Sequence, residues 1–533
     1  MKSPDSLFIK LVIHEQGSKI IILVMLAFAN TISKIALSYT MGWFVNFAID
    51  KKLTMVVFCG FGSVVSLTFI YILTVSSTRI QLDIIRNATL NLKKTAYSVL
   101  LSRRPSPFLN SEKDQQLSII ENTIPTIGQD YFLGLLSNVA FSIQILFCSI
   151  ALIFVNLDIF LFCFAISSIP VLINPKIRRG FGKYKSDLND AAENQMTALG
   201  NFLNGLETIR AFSAGNIFEK RTWKAEELLE SQKKKAGVWD TRIVQLSMLL
   251  GMSAQIICML VAALYILYGK ITVGDLTITT QLLNYIFPAI NSFNAFHLRA
   301  NATLPLRKKI GTMFREANSN FFVNSFTNGD IHVRNVSFAY PDSQPIFSNF
   351  SADFRQGKAS LIVGKSGKGK STLLKIIAGY LDPLSGSVSF GDQNISTIDR
   401  GDLQKNVIYV NQSPVLFNGT VRENISLFGT NDLSSIQSEL QVLGLIPLLD
   451  RSVTYSGSEI SGGEKVRISL ARAIAANPAI ILLDEPDSGQ DKATAQNIEN
   501  VVLQLPNQTV IVVSHVWNEQ SISQFDKVIH LQS

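Results

Sequence analysis

Three glycines, a lysine and a hydroxyl are set out in Gly364-Lys365-Ser366-Gly367-Lys368-Gly369-Lys370-Ser371 in the order G-x-x-x-x-G-K-[ST]. Glycines at these places let a backbone wrap an anion, so that its N–H groups and the N-terminus of the next helix face the charge. Lys370 then reaches the outer phosphates of a nucleoside triphosphate, and Ser371, followed by Thr372, offers a hydroxyl to Mg²⁺. A chance turn rich in Gly and Lys would lack the context found here: an apolar run from Ala359 to Val363 before it and a helical run from Leu373 to Ala378 after it. A second constellation serves the same chemistry. The apolar run from Ala479 to Leu483 ends in Asp484-Glu485, and the carboxyl ends of parallel strands are where such sheets bind ligands. Asp484 can complete the Mg²⁺ shell, often through water, while Glu485 can orient or deprotonate an attacking water. Alone, a strand ending in Asp-Glu is weak evidence; with the loop it describes a site for splitting a phosphoanhydride.

These groups need a sheet to hold them. From Ile331 onward, short β-rich runs alternate with helical ones, the pattern of a mostly parallel sheet. The residues before it are of another kind. Only 17% of the 533 residues are charged, against roughly a quarter in soluble proteins, and the apolar excess lies before about residue 305. Six segments, near 18–48, 54–78, 131–154, 158–177, 244–268 and 272–303, approach or exceed the ~20 apolar residues that cross a bilayer. The sixth is interrupted by Asn284, Asn291, Asn294 and His297. The expected architecture is therefore multidomain: an all-α six-helix transmembrane domain over 1–311, a polar linker over 312–330, and an α/β P-loop ATPase domain over 331–533.

The connections Asp50-Lys51-Lys52, Asn156-Leu157-Asp158 and Gly269-Lys270 are minimal. The other two run to about fifty and sixty-five residues and carry nearly all the Lys and Arg of this half. Basic loops stay on the cytoplasmic side, so both termini and the P-loop domain are expected in the cytoplasm, in a multi-pass protein of the cytoplasmic membrane. Runs such as LDIIRNATLNLKKTAYSVLL and FEKRTWKAEELLESQKKK have apolar residues at three- and four-residue spacing, so the long loops should be helical extensions of the spans. The net charge of +8 sits largely there, in Lys93-Lys94, Arg103-Arg104, Arg178-Arg179 and Lys233-Lys234-Lys235, which argues against a nucleic-acid partner. Cys59, Cys148, Cys163 and Cys258 all fall in apolar segments without paired spacing and read as buried free thiols. The first apolar stretch is long and follows a polar start, so it reads as a retained span and not a cleaved signal.

Ile460-Ser461-Gly462-Gly463-Glu464, directly before the helical run KVRISLARAIAANP, resembles the LSGGQ signature of ATP-binding-cassette (ABC) transporters. The order of the other motifs resembles an exporter-type half-transporter of that family, and the resemblance spans essentially the whole chain. It implies ATP and Mg²⁺ as cofactors. Gly364, Gly367, Gly369, Lys370, Ser371 and Thr372 would hold the nucleotide, and Ser371, Gln412 and Asp484 the metal. Ser461, Gly462, Gly463 and Glu464 would face the γ-phosphate of ATP held by a second chain, a helix N-terminus again meeting an anion. By the same resemblance Tyr340, in VSFAYPD, would stack on adenine, and Gln412, in YVNQSPVLF, would sense Mg²⁺ and contact the membrane domain. Asp491, in DSGQD, would contact the partner chain, and His515, in VIVVSHVW, would contact the γ-phosphate beside the catalytic Glu485. Residues 205–212, GLETIRAF, resemble a second-loop sequence that forms a short coupling helix docking on a nucleotide-binding domain.

There are departures. The signature begins with Ile460 and ends in Glu464, SVTYSGSE lacks the usual Gly-Glu pair, and Gly489-Gln490 replace Ala-Leu. The split site makes a second half-transporter the expected partner, a homodimer favoured and a heterodimer the alternative, with a lipid bilayer around both. The cargo is expected to be a peptide, with a multidrug or lipid exporter, an importer of exporter architecture or a non-transporting regulator as alternatives. No N-terminal peptidase domain is expected, since the first span begins within about twenty residues. Lys34, a charge inside the first span, is a candidate for meeting an anionic cargo group, against the commoner case of a lysine snorkelling to the bilayer surface. Asn284, Tyr285, Phe287, Asn291, Asn294 and His297 could line the same cavity, or serve only helix–helix hydrogen bonding.

Overall fold

The computed structural model describes residues 4–102, 116–318, 324–340, 343–365, 367–454, 459–505, 507–514 and 522–531. They form two compact units, Met1–Tyr97 with Gln116–Phe314 and Ser98–Gln115 with Arg315–Ser533.

The first unit is helical throughout: α1 (Pro4–Ile49), α2 (Leu53–Ser102), α3 (Leu133–Val155), α4 (Leu157–Asn204), α5 (Leu206–Ala211), α6 (Gly215–Leu267), α7 (Val273–Ala302) and α8 (Leu304–Asn318). Sequences this apolar favour helix because, away from water, only a helix satisfies its backbone within its own segment. α1 breaks at Gln16 (φ −130°, ψ 22°), whose side chain donates to the carbonyl of Ile84 at 3.3 Å. Turns of π-helix at Ile119–Thr123 and Ile127–Phe132 flank Ile124–Thr126, where Pro125 withholds an N–H, before α3 begins. α3 and α4 are joined by Asn156 alone, whose side chain accepts from Ile159 N and caps α4. Thr272 and Asp275 close a capping box that starts α7.

Six long helices among the described residues cover the six expected spans, and α2, α4 and α6 run 50, 48 and 53 residues. At 1.5 Å per residue each is about two and a half times as long as the ~30 Å hydrocarbon layer, so the basic runs form helical extensions, as expected. Three stretches are long and apolar enough to cross a membrane among the described residues: Gln16–Ile49, Leu53–Leu101 and Gln116–Val155. Gly251–Leu267 is a shorter apolar stretch. Phe58, Phe61 and Phe154 are 74%, 70% and 82% exposed, an outward apolar surface that suits lipid. α1 and α7 approach closely at glycines: a methyl group on Gly42 would lie 2.7 Å from the Gly274 carbonyl and collide with Ile278. Asn46 fastens the same crossing, donating to Thr272 at 3.1 Å and accepting from Gly274 N at 2.8 Å. Cys59, Cys148 and Cys258 are buried and form no disulfide among the described residues. α5 occupies the stretch expected to form a short helix at the tip of the second long loop.

α8 reaches Asn318, seven residues into the stretch expected to be linker. The second unit engages the chain by Asn324, which bridges to Ile398. Its strands are β1 (Ile331–Phe338), β2 (Phe347–Phe354), β3 (Ala359–Val363), β4 (Ser385–Phe390), β5 (Gln393–Asn394), β6 (Val407–Val410), β7 (Gly419–Thr420), β8 (Ser452–Val453), β9 (Ile480–Asp484), β10 (Thr509–Val513) and β11 (Lys527–His530). The central sheet has the order β11-β3-β10-β9-β6, parallel throughout, and an antiparallel sheet has the order β2-β1-β4-β5. β9 and β10 are buried at every residue, which explains their uninterrupted Val/Ile/Leu runs. Alternate residues feed two cores: Leu361, Ile481, Leu483, Val510 and Val512 on one face, and Ile362, Ile480, Leu482, Ile511 and Val513 on the other. The expected fold class holds: a helical transmembrane region followed by an α/β P-loop domain.

Candidate nucleotide site

The phosphate loop leaves β3 and enters helix α9 (Lys370–Ile377). Gly367 and Gly369 have φ +80° and +85°, a region that residues with a Cβ adopt at a cost. Gly369 also has no room for one, since a methyl there would collide with Ile346 and lie 2.8 Å from Phe347. Lys370 folds back over the loop, its buried ammonium donating to the carbonyls of Gly364 at 2.9 Å and Lys365 at 3.1 Å. Burial holds this ammonium below its ordinary range, opposed by the carboxylates of Glu485 and Asp484.

β9 lies one strand from β3, across β10, and delivers Asp484 to the loop. The buried Asp484 carboxylate accepts from Ser371 Oγ at 2.9 Å and from Tyr409 OH at 2.7 Å. Burial and the Asp484 charge push the Tyr409 hydroxyl far above its usual range, so it stays a donor. Tyr409 stands edge-on to Tyr380, ring centres 5.7 Å apart. Glu485 follows with φ +50°, a strained backbone for a glutamate that costs about 1–3 kcal/mol. Its N–H donates to Val513 O at 2.9 Å, and its carboxylate accepts from Gln412 Nε2 at 2.7 Å. Tyr340 meets Thr372, hydroxyl to hydroxyl, at 3.3 Å and stands edge-on to Phe338.

A second group surrounds helix α10 (Gly462–Ala475). Ser461 caps it: Ser461 Oγ accepts from Glu464 N at 3.2 Å, and Ser461 N donates to Glu464 Oε2 at 2.7 Å. This capping box needs Glu or Gln three residues after the serine, so glutamate at the end of the signature keeps the local geometry. Arg451 lies 3.4 Å from the Glu464 carboxylate. Burial raises the Glu464 carboxyl, but hydrogen bonds from Ser461 and the charges of Arg451 and Arg467 outweigh it and hold the group below its usual range. Gln490 Nε2 donates to Gly463 O at 3.0 Å, and a methyl on Gly463 would lie 2.6 Å from Gln490. Asp491 caps helix α11 (Lys492–Leu503), accepting from Thr494 N at 3.0 Å and Thr494 Oγ1 at 2.8 Å.

The fold thus brings together Lys370, Ser371, Thr372, Gln412, Asp484 and Glu485, with Tyr340 reaching Thr372, and it groups Ser461–Glu464 with Gln490 and Asp491. His515 lies outside the described residues, but Ser514 before it is buried and donates to Asp487 at 2.6 Å. Tyr409 and Gln490 are the residues that sequence reasoning passed over. Tyr409 had a signal: it stands three residues before Gln412 on a strand that pairs with β9, opposite Leu482. Gln490 stands out in the sequence only as a departure from the family's leucine.

The hydroxyl–carboxylate pair of Ser371 and Asp484, with an amide at Gln412, is a hard-oxygen donor set that fits Mg²⁺. A glycine-lined loop feeding a helix N-terminus, with a buried lysine folded over it, fits a polyphosphate. Such a site, in one chain with a helical membrane region, marks a P-loop protein of the membrane.

Comparison with known proteins narrows the class. The family model described as "ABC transporter transmembrane region" matches residues 20–290, and the one described as "ABC transporter" matches residues 347–488. The chain belongs to the ABC transporter family. It is 26% identical over 374 residues to the lactococcin-G-processing and transport ATP-binding protein LagD of Lactococcus lactis subsp. lactis, covering 67% of this chain and 53% of that protein. It is 25% identical over 482 residues to the mesentericin-Y105 transport/processing ATP-binding protein MesD of Leuconostoc mesenteroides, covering 87% and 64%. The chain therefore spans between half and two thirds of the length of these relatives. A solved structure titled as a bacterial Atm1-family ABC exporter with ATP bound has the same fold, with a TM-score of 0.85 at 19% identity, covering 97% of this chain and 94% of that one.

Proposed function

We propose that this chain is one half of an ATP-driven exporter that hydrolyses ATP at a site shared with a second copy and moves a peptide out across the cytoplasmic membrane. The observation that carries the ATPase reading is the pair of contacts from adjacent residues, Asp484 to Ser371 at 2.9 Å and Glu485 to Gln412 at 2.7 Å. A metal-binding acid and a water-activating acid would stand side by side at the end of one strand, facing the phosphate loop.

In this reading the loop amides and Lys370 hold the phosphates, and Lys370 exchanges its bonds to Gly364 and Lys365 for phosphate oxygens. Ser371, Asp484 and Gln412 hold Mg²⁺, which supplies charge neutralisation on the phosphates. Tyr409 fixes the Asp484 carboxylate from behind. Glu485 takes or orients a proton of the attacking water, with Gln412 steadying its carboxylate. Tyr340 offers an aromatic face to the base, and His515 contacts the terminal phosphate. Ser461–Glu464 serve the nucleotide on the partner chain, so ATP joins two chains and hydrolysis releases them. Closure and release bias the helical unit between inward- and outward-facing arrangements. Relatives named for both processing and transport accord with a peptide, a cargo with bonds to process.

The test is the purified chain reconstituted in lipid vesicles. Mg²⁺-dependent ATP hydrolysis that falls about 100-fold or more in Glu485→Gln, with nucleotide binding retained, is expected from loss of a general base. Hydrolysis unchanged by that substitution sinks the proposal. Uptake into inside-out but not right-side-out vesicles supports the direction, and the reverse pattern makes the protein an importer.

A further inference from the structure

The first helix carries a charge with no counter-charge beside it among the described residues. Lys34 stands about 22 Å from the Ile49 end of α1 at the helical rise, well inside a ~30 Å hydrocarbon layer. It does not snorkel along its own helix. Its ammonium crosses to α3 and donates to Gln144 Oε1 at 2.6 Å, and it lies 5.6 Å from the centre of the Tyr285 ring on α7. Gln144 is fixed in turn, its amide donating to Tyr285 O at 2.8 Å. Both partners are neutral, so the positive charge is oriented but not cancelled.

Lys34 borders a cavity of about 70 Å³ between α1, α2 and α3, lined also by Asn30, Thr31, Ser77, Gln81 and Gln144. Asn30 lies four residues before Lys34 on the same helix face, with Cβ atoms about 6 Å apart at that spacing. Its Nδ2 donates to Thr74 Oγ1 at 3.0 Å, while its Oδ1 is buried without a hydrogen-bond partner among the described residues. The cavity thus presents a cation needing an anion, while the buried Asn30 Oδ1 does not open onto it.

We infer that this cavity binds the free C-terminal carboxylate of a peptide on Lys34. Pairing removes the cost of an isolated charge among apolar helices.

The inference rests on the peptide-export reading, but it is tested by binding without nucleotide, so the two can fail separately. The full chain in lipid nanodiscs is titrated with an N-acetylated hydrophobic tetrapeptide as its free acid and as its C-terminal amide. The free acid is expected to bind at least tenfold tighter than the amide. Lys34→Gln should erase its advantage over the amide, and Lys34→Arg should keep it. Basal ATP hydrolysis of Lys34→Gln should match the unsubstituted chain, which shows that the protein is folded. Lack of preference for the free acid, failure of the free acid to bind, or a preference that survives Lys34→Gln overturns the inference. Specific binding in a chain that moves no peptide on ATP addition would instead sink the export reading alone.

Discussion

Glu485 and Tyr409 show how much of a reacting site depends on groups beside the obvious acids. Tyr409 gives Asp484 its second hydrogen bond. Removing that donor by Tyr409→Phe leaves a buried carboxylate oxygen short of a partner, at a cost of about 1–3 kcal/mol. The expected result is a lower thermal midpoint of the cassette domain and a higher Mg²⁺ requirement for hydrolysis, with the glutamate step intact. Gln490 predicts differently. Gln490→Leu, which restores a side chain common in the family, should loosen the first turn of α10 by cutting the bond to Gly463 O. Hydrolysis should fall while ATP binding to the loop, read by nucleotide fluorescence, stays unchanged. The acids, loop and signature were legible because each is a residue type at a fixed distance from a strand or helix end. Gln490 was not, since its partner is a backbone carbonyl 27 residues away in sequence, and carbonyls leave no trace in a residue pattern. The positive φ of Glu485 was equally invisible, because nothing about a glutamate announces left-handed backbone.

At the scale of single elements, α10 and the crossing of α1 with α7 carry the clearest expectations. The stabilisation that Glu464 gives its capping box follows from a carboxyl held below its usual range. A depressed folded-state value means the stabilisation is fully present above the unfolded value, near 4.3, and is lost as pH falls through the folded value. Glu464→Gln should therefore keep the helix start at neutral pH and flatten the acid limb of the stability curve, measured by helical signal against pH. Ser461→Ala should cost about 0.5–2 kcal/mol at neutral pH. In the membrane unit, Gly42→Val should force α1 off α7, where Gly274 and Ile278 leave no space, and lower stability in detergent by about 1–3 kcal/mol. Gly62→Ala, which meets only Thr40 Cγ2 at 3.6 Å, is the matched control and should change little. The spans and their helical extensions were readable from apolar length and charge. The glycine crossing was not, because a lone glycine in a long apolar helix looks the same whether it faces a neighbour or lipid.

For the whole molecule, the proposed division of each site between two chains makes a prediction that no single-chain enzyme shares. Lys370→Ala and Ser461→Arg should each abolish hydrolysis when present in every copy. Mixed in equal amounts, half of randomly paired dimers would carry one intact loop facing one intact signature, restoring about a quarter of the unsubstituted activity. No recovery would sink the shared site. The same scale gives a consequence to the one-residue joint at Asn156. A chain can stretch only about 3.6 Å per residue, so the ends of α3 and α4 are leashed within about 7 Å of each other. The three residues between α1 and α2 allow those ends about 14 Å. Whatever gate opens at this end of the bundle must separate whole tethered pairs from each other, as hinged leaves swing open along their free edges. A reporter pair bridging α3 and α4 near the joint should hold a constant distance through the cycle, while one bridging α2 and α3 carries the movement.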